Sequence, residues 1–151
     1  MRIGCNGSTV AWVFYSRAPA GHPVFVDIWR RITPINRGFQ PGRYQLIGSN
    51  EVRPQWTGLN AVVIADPRNQ IAVREDDVIG FHYSDSPVTP SGHLVIPTAT
   101  GSQPGPFSPN QLSMTYTVKR SSIAAGDIVD LDFEGTRSYQ LPALQALVSQ
   151  N

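Results

Sequence analysis

The chain has 151 residues, a formal net charge of +1, and only 15% charged residues. This balance excludes nucleic acid and anionic membranes as expected partners, because both are bound by clustered lysine and arginine. Glycine and proline contribute 13 residues each, which indicates a globular protein with many turns. No apolar run approaches the roughly 20 residues of a membrane-spanning helix, so we predict one domain over 1–151 without a membrane span.

Short strands separated by turns follow one another along the chain. Those predicted from apolar patterning lie at 8–15, 24–32, 44–48, 60–65, 93–96, 112–119 and 128–133. The strand at 8–15 is apolar on both faces and is therefore predicted to be central or covered twice. A long loop is predicted at 97–110, which holds four prolines and two glycines. The tail after Tyr139 fits either a helical face or a last strand.

One sequence pattern, a turn followed by an apolar strand, occurs twice. Residues 74–77 form a predicted turn before a strand that starts at Val78, and residues 124–127 form one before Ile128. Gly126 can supply a positive φ in the second turn, and Asp76 tolerates it at the matching place in the first. In the strand after the first turn, alternation puts Phe81 on one face and His82 on the other.

These elements predict an all-β fold, an antiparallel β-sandwich of jelly-roll type. No strand–helix alternation indicates a parallel sheet. The predicted core is Val10, Trp12, Phe14, Val26, Ile28, Leu46, Val62, Ile64, Ile79, Phe81, Met114, Tyr116, Val129, Leu131 and Phe133, with Trp29 also inside.

Several phrases, read in order, carry a resemblance. They are residues 5–7 leading to 12–15, then 26–30, 44–50 and 73–83. Over residues 5–96 this order resembles the secreted, jelly-roll-like β-sandwich modules of extracellular matrix, adhesive and lectin-like proteins of marine invertebrates. The sequence departs from their pattern at Asp76, where glycine is usual, and in the proline-rich stretch. The resemblance implies an extracellular, non-enzymatic module, although the chain shows no signal peptide.

Trp56 is the main candidate for ligand binding. It lies in a polar loop, where an exposed indole can stack on a sugar ring while nearby polar groups bind the hydroxyls. The neighbouring candidates are Asn50, Arg53, Gln55 and Asn60. The alternative is an indole folded back over the end of the sandwich.

Carboxylates offer a possible calcium site, and no other cofactor is expected. The candidates are Glu75, Asp76 and Asp77 in one turn, and Asp130 and Asp132 on one strand face; solvated carboxylates are the alternative. The histidines at 22, 82 and 93 lack the spacing of a zinc site, and His82 is expected to face water. Ser84, Asp85 and Ser86 lie near His82 in sequence, but they form no known catalytic motif. The chain is therefore not predicted to be an enzyme, and a small hydrolase is the third hypothesis.

The leading hypothesis is therefore a lectin-like module that binds glycans or glycoproteins through loops at one end. The second is a structural or adhesive matrix protein that self-assembles into oligomers or fibres. Cys5 is the only cysteine, so it is either a buried thiol or the source of an intermolecular disulfide. Asn6 begins a glycosylation sequon that matters only in a secretory pathway.

Overall fold

A computed structural model of the chain describes residues 3–16, 21, 23–32, 42–82, 91–97, 113–119, 122–131, 135–138 and 144–150, with backbone only at 91–97, 113–119 and 135–138. The strands in these ranges are β1 (Gly7–Ser16), β2 (Val24–Arg31), β3 (Arg43–Val52), β4 (Gly58–Val63), β5 (Ala72–Val73), β6 (Val78–His82), β7 (Ser91–Pro97), β8 (Ser113–Lys119), β9 (Ile128–Asp130), β10 (Gly135–Ser138) and β11 (Leu144–Ser149). A single 3-10 turn spans Pro67–Asn69. The prediction of an all-β fold is confirmed.

The strands form two antiparallel sheets. The small sheet has four strands in the order β11-β1-β4, with β5 also pairing with β1. The large sheet has seven strands in the order β10-β8-β7-β6-β2-β3-β9. Two antiparallel sheets are what the sequence predicts for a sandwich, whereas the jelly-roll connection stays a prediction.

Several strand ends differ by a residue or two from the predicted ones, and three segments differ further. β3 continues past Gly48 to Val52, into a loop predicted to begin at Glu51, because its alternation persists through a polar segment. β10 lies where turn residues predict only a turn, and it pairs with β8. The tail forms β11 rather than a helix, since its pairing with β1 satisfies its backbone. The long proline-rich stretch lies outside the described residues after Pro97.

The first hydrophobic cluster fills the space between the sheets. Its buried members are Ile3, Trp12, Phe14, Val26, Ile28, Val52, Ile71, Val73, Ile79 and Leu144, and Val62, Ile64 and Phe81 pack partly buried against them. The bulge between Thr9 and Ala11 leaves Val10 only half-buried. Most of the predicted core is therefore confirmed; the side chains of Met114, Tyr116 and Phe133 lie outside the described residues.

A second cluster lies on the opposite face of the large sheet. It contains Trp29, Tyr44, Leu46, Val78, Val129 and Leu131, all buried. β10 and β9 are the two edge strands of the large sheet, yet only residues 131–134 connect them along the chain. Five peptide steps span at most about 18 Å, whereas seven strands laid flat would separate these edges by about 29 Å. The large sheet must therefore curl, and the second cluster lies on its face away from the small sheet, with Ile123 packed against it.

β1 is central in the small sheet, as predicted, but it is not covered on both faces. Val13 is half-buried and Tyr15 is exposed. Among the described residues, the large sheet packs against the inner face of this sheet, which carries Trp12 and Phe14, and Leu59 and Val63 are exposed on its outer face.

Candidate functional site

The acidic turn, residues 74–77, is built around its last aspartate. The Asp77 carboxylate accepts a hydrogen bond from the Arg74 amide at 2.8 Å, and the Asp77 amide donates to the Arg74 carbonyl oxygen at 3.1 Å. Asp76 has a φ of 71°, the left-handed conformation that the sequence predicts there. The backbone of Ile3 then bonds to both Asp76 and Asp77.

The glycine turn, residues 124–127, repeats this arrangement. The Asp127 carboxylate accepts from the Ala124 amide at 2.9 Å, and Gly126 has a φ of 94°. Here the backbone of Leu46 bonds to both Gly126 and Asp127. The repeated sequence pattern is thus a repeated turn, and each copy bonds to the backbone of a neighbouring segment, at Ile3 in the first and at Leu46 in the second.

The acidic turn is occupied by a cation of the chain itself. Asp77 is buried, and its two oxygens accept from the Arg30 Nε at 2.9 Å and Nη2 at 2.7 Å. A calcium ion would have to displace this guanidinium, since the same oxygens would be its ligands. Glu75 and Asp76 are exposed beside the pair.

The other calcium candidates are not brought together with this turn. Asp130 lies 3.9 Å from the Arg43 Nε, and Asp132 lies outside the described residues. In the described part of the chain, no three histidine, cysteine or acidic side chains form a group that could hold a metal ion.

The Trp56 loop is held in shape by a buried asparagine. The Asn60 side chain accepts from the Gln55 amide at 2.8 Å and donates to the carbonyl oxygens of Trp56 and Gly58 at 3.0 and 2.9 Å. The Trp56 indole N–H donates to the Leu59 carbonyl oxygen at 2.8 Å. Trp56 is 54% exposed, so its indole edge rests on β4 while about half of the residue faces solvent. Trp12 and Trp29 are fully buried, as predicted.

The polar residues predicted around Trp56 take different places. Arg53 and Gln55, which precede Trp56 in the sequence, are exposed, and Arg53 forms an ion pair of 2.6 Å with Glu51. Asn60 is buried beneath the loop and supports it. Asn50 lies in the interior, where it accepts from the Trp12 indole at 2.9 Å and donates to the Asn69 carbonyl oxygen at 2.8 Å.

A polar network that the sequence did not reveal lies on the face of the large sheet that carries the second cluster. The buried Asp27 carboxylate accepts from the Ser49 hydroxyl at 2.6 Å and lies 2.8 Å from the His82 Nδ1. Asp27 on β2 pairs with Gly80 on β6, which has no side chain. The neighbouring pair is Phe25 with His82, whose rings stack with their centroids 4.8 Å apart. The expectation that His82 faces water is wrong, because the imidazole packs between Phe25 and a carboxylate.

Burial raises the pKa of Asp27, and the hydrogen bonds from His82 and Ser49 oppose that rise only in part. The arrangement can hold a proton between a carboxylate and an imidazole. It is not a catalytic triad, since the Ser49 hydroxyl is bonded to Asp27 and not to the histidine. A lone aspartate in the apolar strand 24–29 is the one sequence signal that could have revealed it.

The remaining candidates are placed as follows. Cys5 is half-buried and free, and Asn6 is exposed, with its side-chain oxygen accepting from the Glu75 amide at 3.0 Å. His22 and residues 84–86 lie outside the described residues. His93 pairs in register with Phe81, one residue away from His82 along β6.

No family model, curated protein or solved structure matches this chain. The resemblance to matrix and lectin-like modules therefore stays a prediction. Within the described residues, no helix is long and apolar enough to cross a membrane.

Proposed function

We propose that the protein is a non-catalytic, extracellular recognition module that binds carbohydrate on the face of Trp56. The observation that carries this proposal is a half-exposed indole whose orientation is fixed. Its N–H is already bonded to Leu59, so the flat apolar ring face is what remains for a ligand. Such a face suits the C–H side of a pyranose ring.

The loop supports the proposal because it is ordered before any ligand arrives. Asn60 bonds to Gln55, Trp56 and Gly58, so binding costs little additional ordering of the loop. Gln55 and the Arg53–Glu51 pair are exposed polar groups that can reach sugar hydroxyls. Asn50 and Asn60 have no part in the proposed contact, since both are buried in structural hydrogen bonds.

A glycan array with the unsubstituted chain and Trp56→Ala tests the proposal. We expect a defined set of glycans to bind, with the affinity falling about tenfold or more in Trp56→Ala because the stacking surface is lost. Trp56→Phe keeps a ring without the N–H that fixes it, so it should retain part of the affinity.

Ile32→Ala is the matched control, because it also removes an exposed apolar side chain, directly after β2 and outside the Trp56 loop. Its affinity should equal that of the unsubstituted chain. Binding that is unchanged in Trp56→Ala, or the absence of binding to any glycan, would contradict the proposal.

A further inference from the structure

The outer face of the small sheet is apolar and open. It carries Ala11, Val13, Tyr15, Leu59, Ala61, Val63 and Leu147. Leu59 and Val63 expose 65% and 72% of their surface, more than the other large apolar residues on this face. Both lie on β4, and a patch of exposed apolar side chains without charge marks an interaction surface.

β4 is also an edge strand. In the described part of the chain, only β1 pairs with it. Natural edge strands avoid pairing with other chains by carrying charged residues or proline. The segment Gly58–Val63 has neither. β11, at the other edge, instead turns Gln145 and Ser149 outward.

The hydrogen-bonding groups of this edge can be assigned from the register. The Ile64 amide donates to the Val10 carbonyl oxygen of β1 at 2.8 Å. In an antiparallel ladder the backbone groups of alternate residues point to opposite sides, so those of Leu59, Ala61 and Val63 point away from β1. The Leu59 carbonyl oxygen already accepts from the Trp56 indole. The open part of the edge is therefore formed by Ala61 and Val63.

We propose that β4 pairs with β4 of a second copy of this chain, antiparallel about a two-fold axis at Val62. In this register Ala61 of each copy lies opposite Val63 of the other, and the two residues exchange both backbone hydrogen bonds. The bond between Trp56 and Leu59 is left intact. The two small sheets then join edge to edge with their apolar faces on the same side.

The choice of a second copy as occupant follows from the chemistry of the strand. A two-fold interface needs a surface that is complementary to itself. The uncharged strand brings no like charges together, and the open amides and carbonyl oxygens of both residues are all paired when Ala61 of each copy meets Val63 of the other. The inference goes beyond the sugar proposal, because it depends on Ala61 and Val63 and needs no ligand on the Trp56 ring.

Analytical ultracentrifugation of three chains tests the proposal: the unsubstituted chain, Ala61→Lys/Val63→Lys and Ala61→Glu/Val63→Lys. The unsubstituted chain should form a concentration-dependent dimer. The double lysine chain places like charges opposite each other twice, so its dimer dissociation constant should rise about thirtyfold. The glutamate–lysine chain places opposite charges together, so its constant should stay within about threefold of the unsubstituted value.

The two double variants change the same exposed positions and differ only in the sign of one charge. Matching denaturation curves will show that both fold. A chain that stays monomeric at its highest soluble concentration would overturn the proposal. Equal dissociation constants for the two double variants would overturn it as well, because the register requires them to differ.

Discussion

Two buried aspartates lie where β2 pairs with β6, Asp27 on β2 and Asp77 in the acidic turn before β6, and they differ in the side chain that each carboxylate contacts. Asp77 accepts two hydrogen bonds from Arg30, whose pKa is raised by that contact. Asp27 faces His82, and burial raises its own pKa. A guanidinium stays charged at any ordinary pH, so the Arg30–Asp77 contact is a lasting ion pair. The carboxyl group of Asp27, whose pKa is raised, is the member of the second pair whose charge depends on pH.

Removal of the Asp77 carboxylate should have the largest effect. Asp77→Ala leaves the half-buried Arg30 without its partner and the Arg74 amide without its acceptor. We expect the free energy of unfolding to fall by about 3 kcal/mol, measured by urea denaturation at neutral pH.

Asp127→Ala is the control for that loss. It breaks the same hydrogen bond in the glycine turn, to the Ala124 amide, but no arginine is bound there within the described residues. A decrease of about 1 kcal/mol is expected. Equal losses in the two variants would show that the ion pair with Arg30 adds nothing to the turn.

Asp27→Asn should change how stability depends on pH. The pKa of Asp27 in the folded chain lies above its ordinary value of 3.8, so the unfolded chain ionises first as pH rises. Ionisation of Asp27 therefore leaves the free energy of unfolding unchanged below pH 3.8 and lowers it as pH rises through the pKa of the folded chain. Asp27→Asn removes this loss, and its stability relative to the unsubstituted chain should increase with pH. Parallel curves of unfolding free energy against pH would contradict the assignment.

Ser49→Ala should give the smallest effect, of the same kind. The Ser49 hydroxyl donates to the Asp27 carboxylate, and its removal raises the pKa of Asp27 further. We expect a loss of about 1 kcal/mol at neutral pH and a smaller one in acid, where a protonated Asp27 no longer depends on this donor. Urea denaturation at the two pH values measures the difference; a loss independent of pH would argue against a role for the hydroxyl in holding the charge.

The fold class could be predicted because apolar alternation and turn residues are local signals. The left-handed conformations of Asp76 and Gly126 were predicted for the same reason. The Asp27–His82 contact could not be, since the residues are 55 positions apart and meet only through the pairing of β2 with β6.

The polar loop around Trp56 allowed either an exposed indole or one folded back over the sandwich, and the sequence could not decide between them or assign the role of its polar neighbours. Asn50 and Asn60 have the composition of ligand-binding residues, but their amides are used to bond the backbone of the loop and the buried Trp12 indole. An amide side chain can satisfy either need, and only the surrounding backbone decides which.

The small sheet joins distant parts of the chain, since Ser8 pairs with Ser149 across it. Pairing over such a separation carries a large loop-closure entropy, which slows folding. A nascent polypeptide on the ribosome cannot complete this layer until residues 144–149 have emerged. Until then the edge of β1 that pairs with β11 has no neighbouring strand, and a chaperone or a slow translation step would have its greatest influence at that moment.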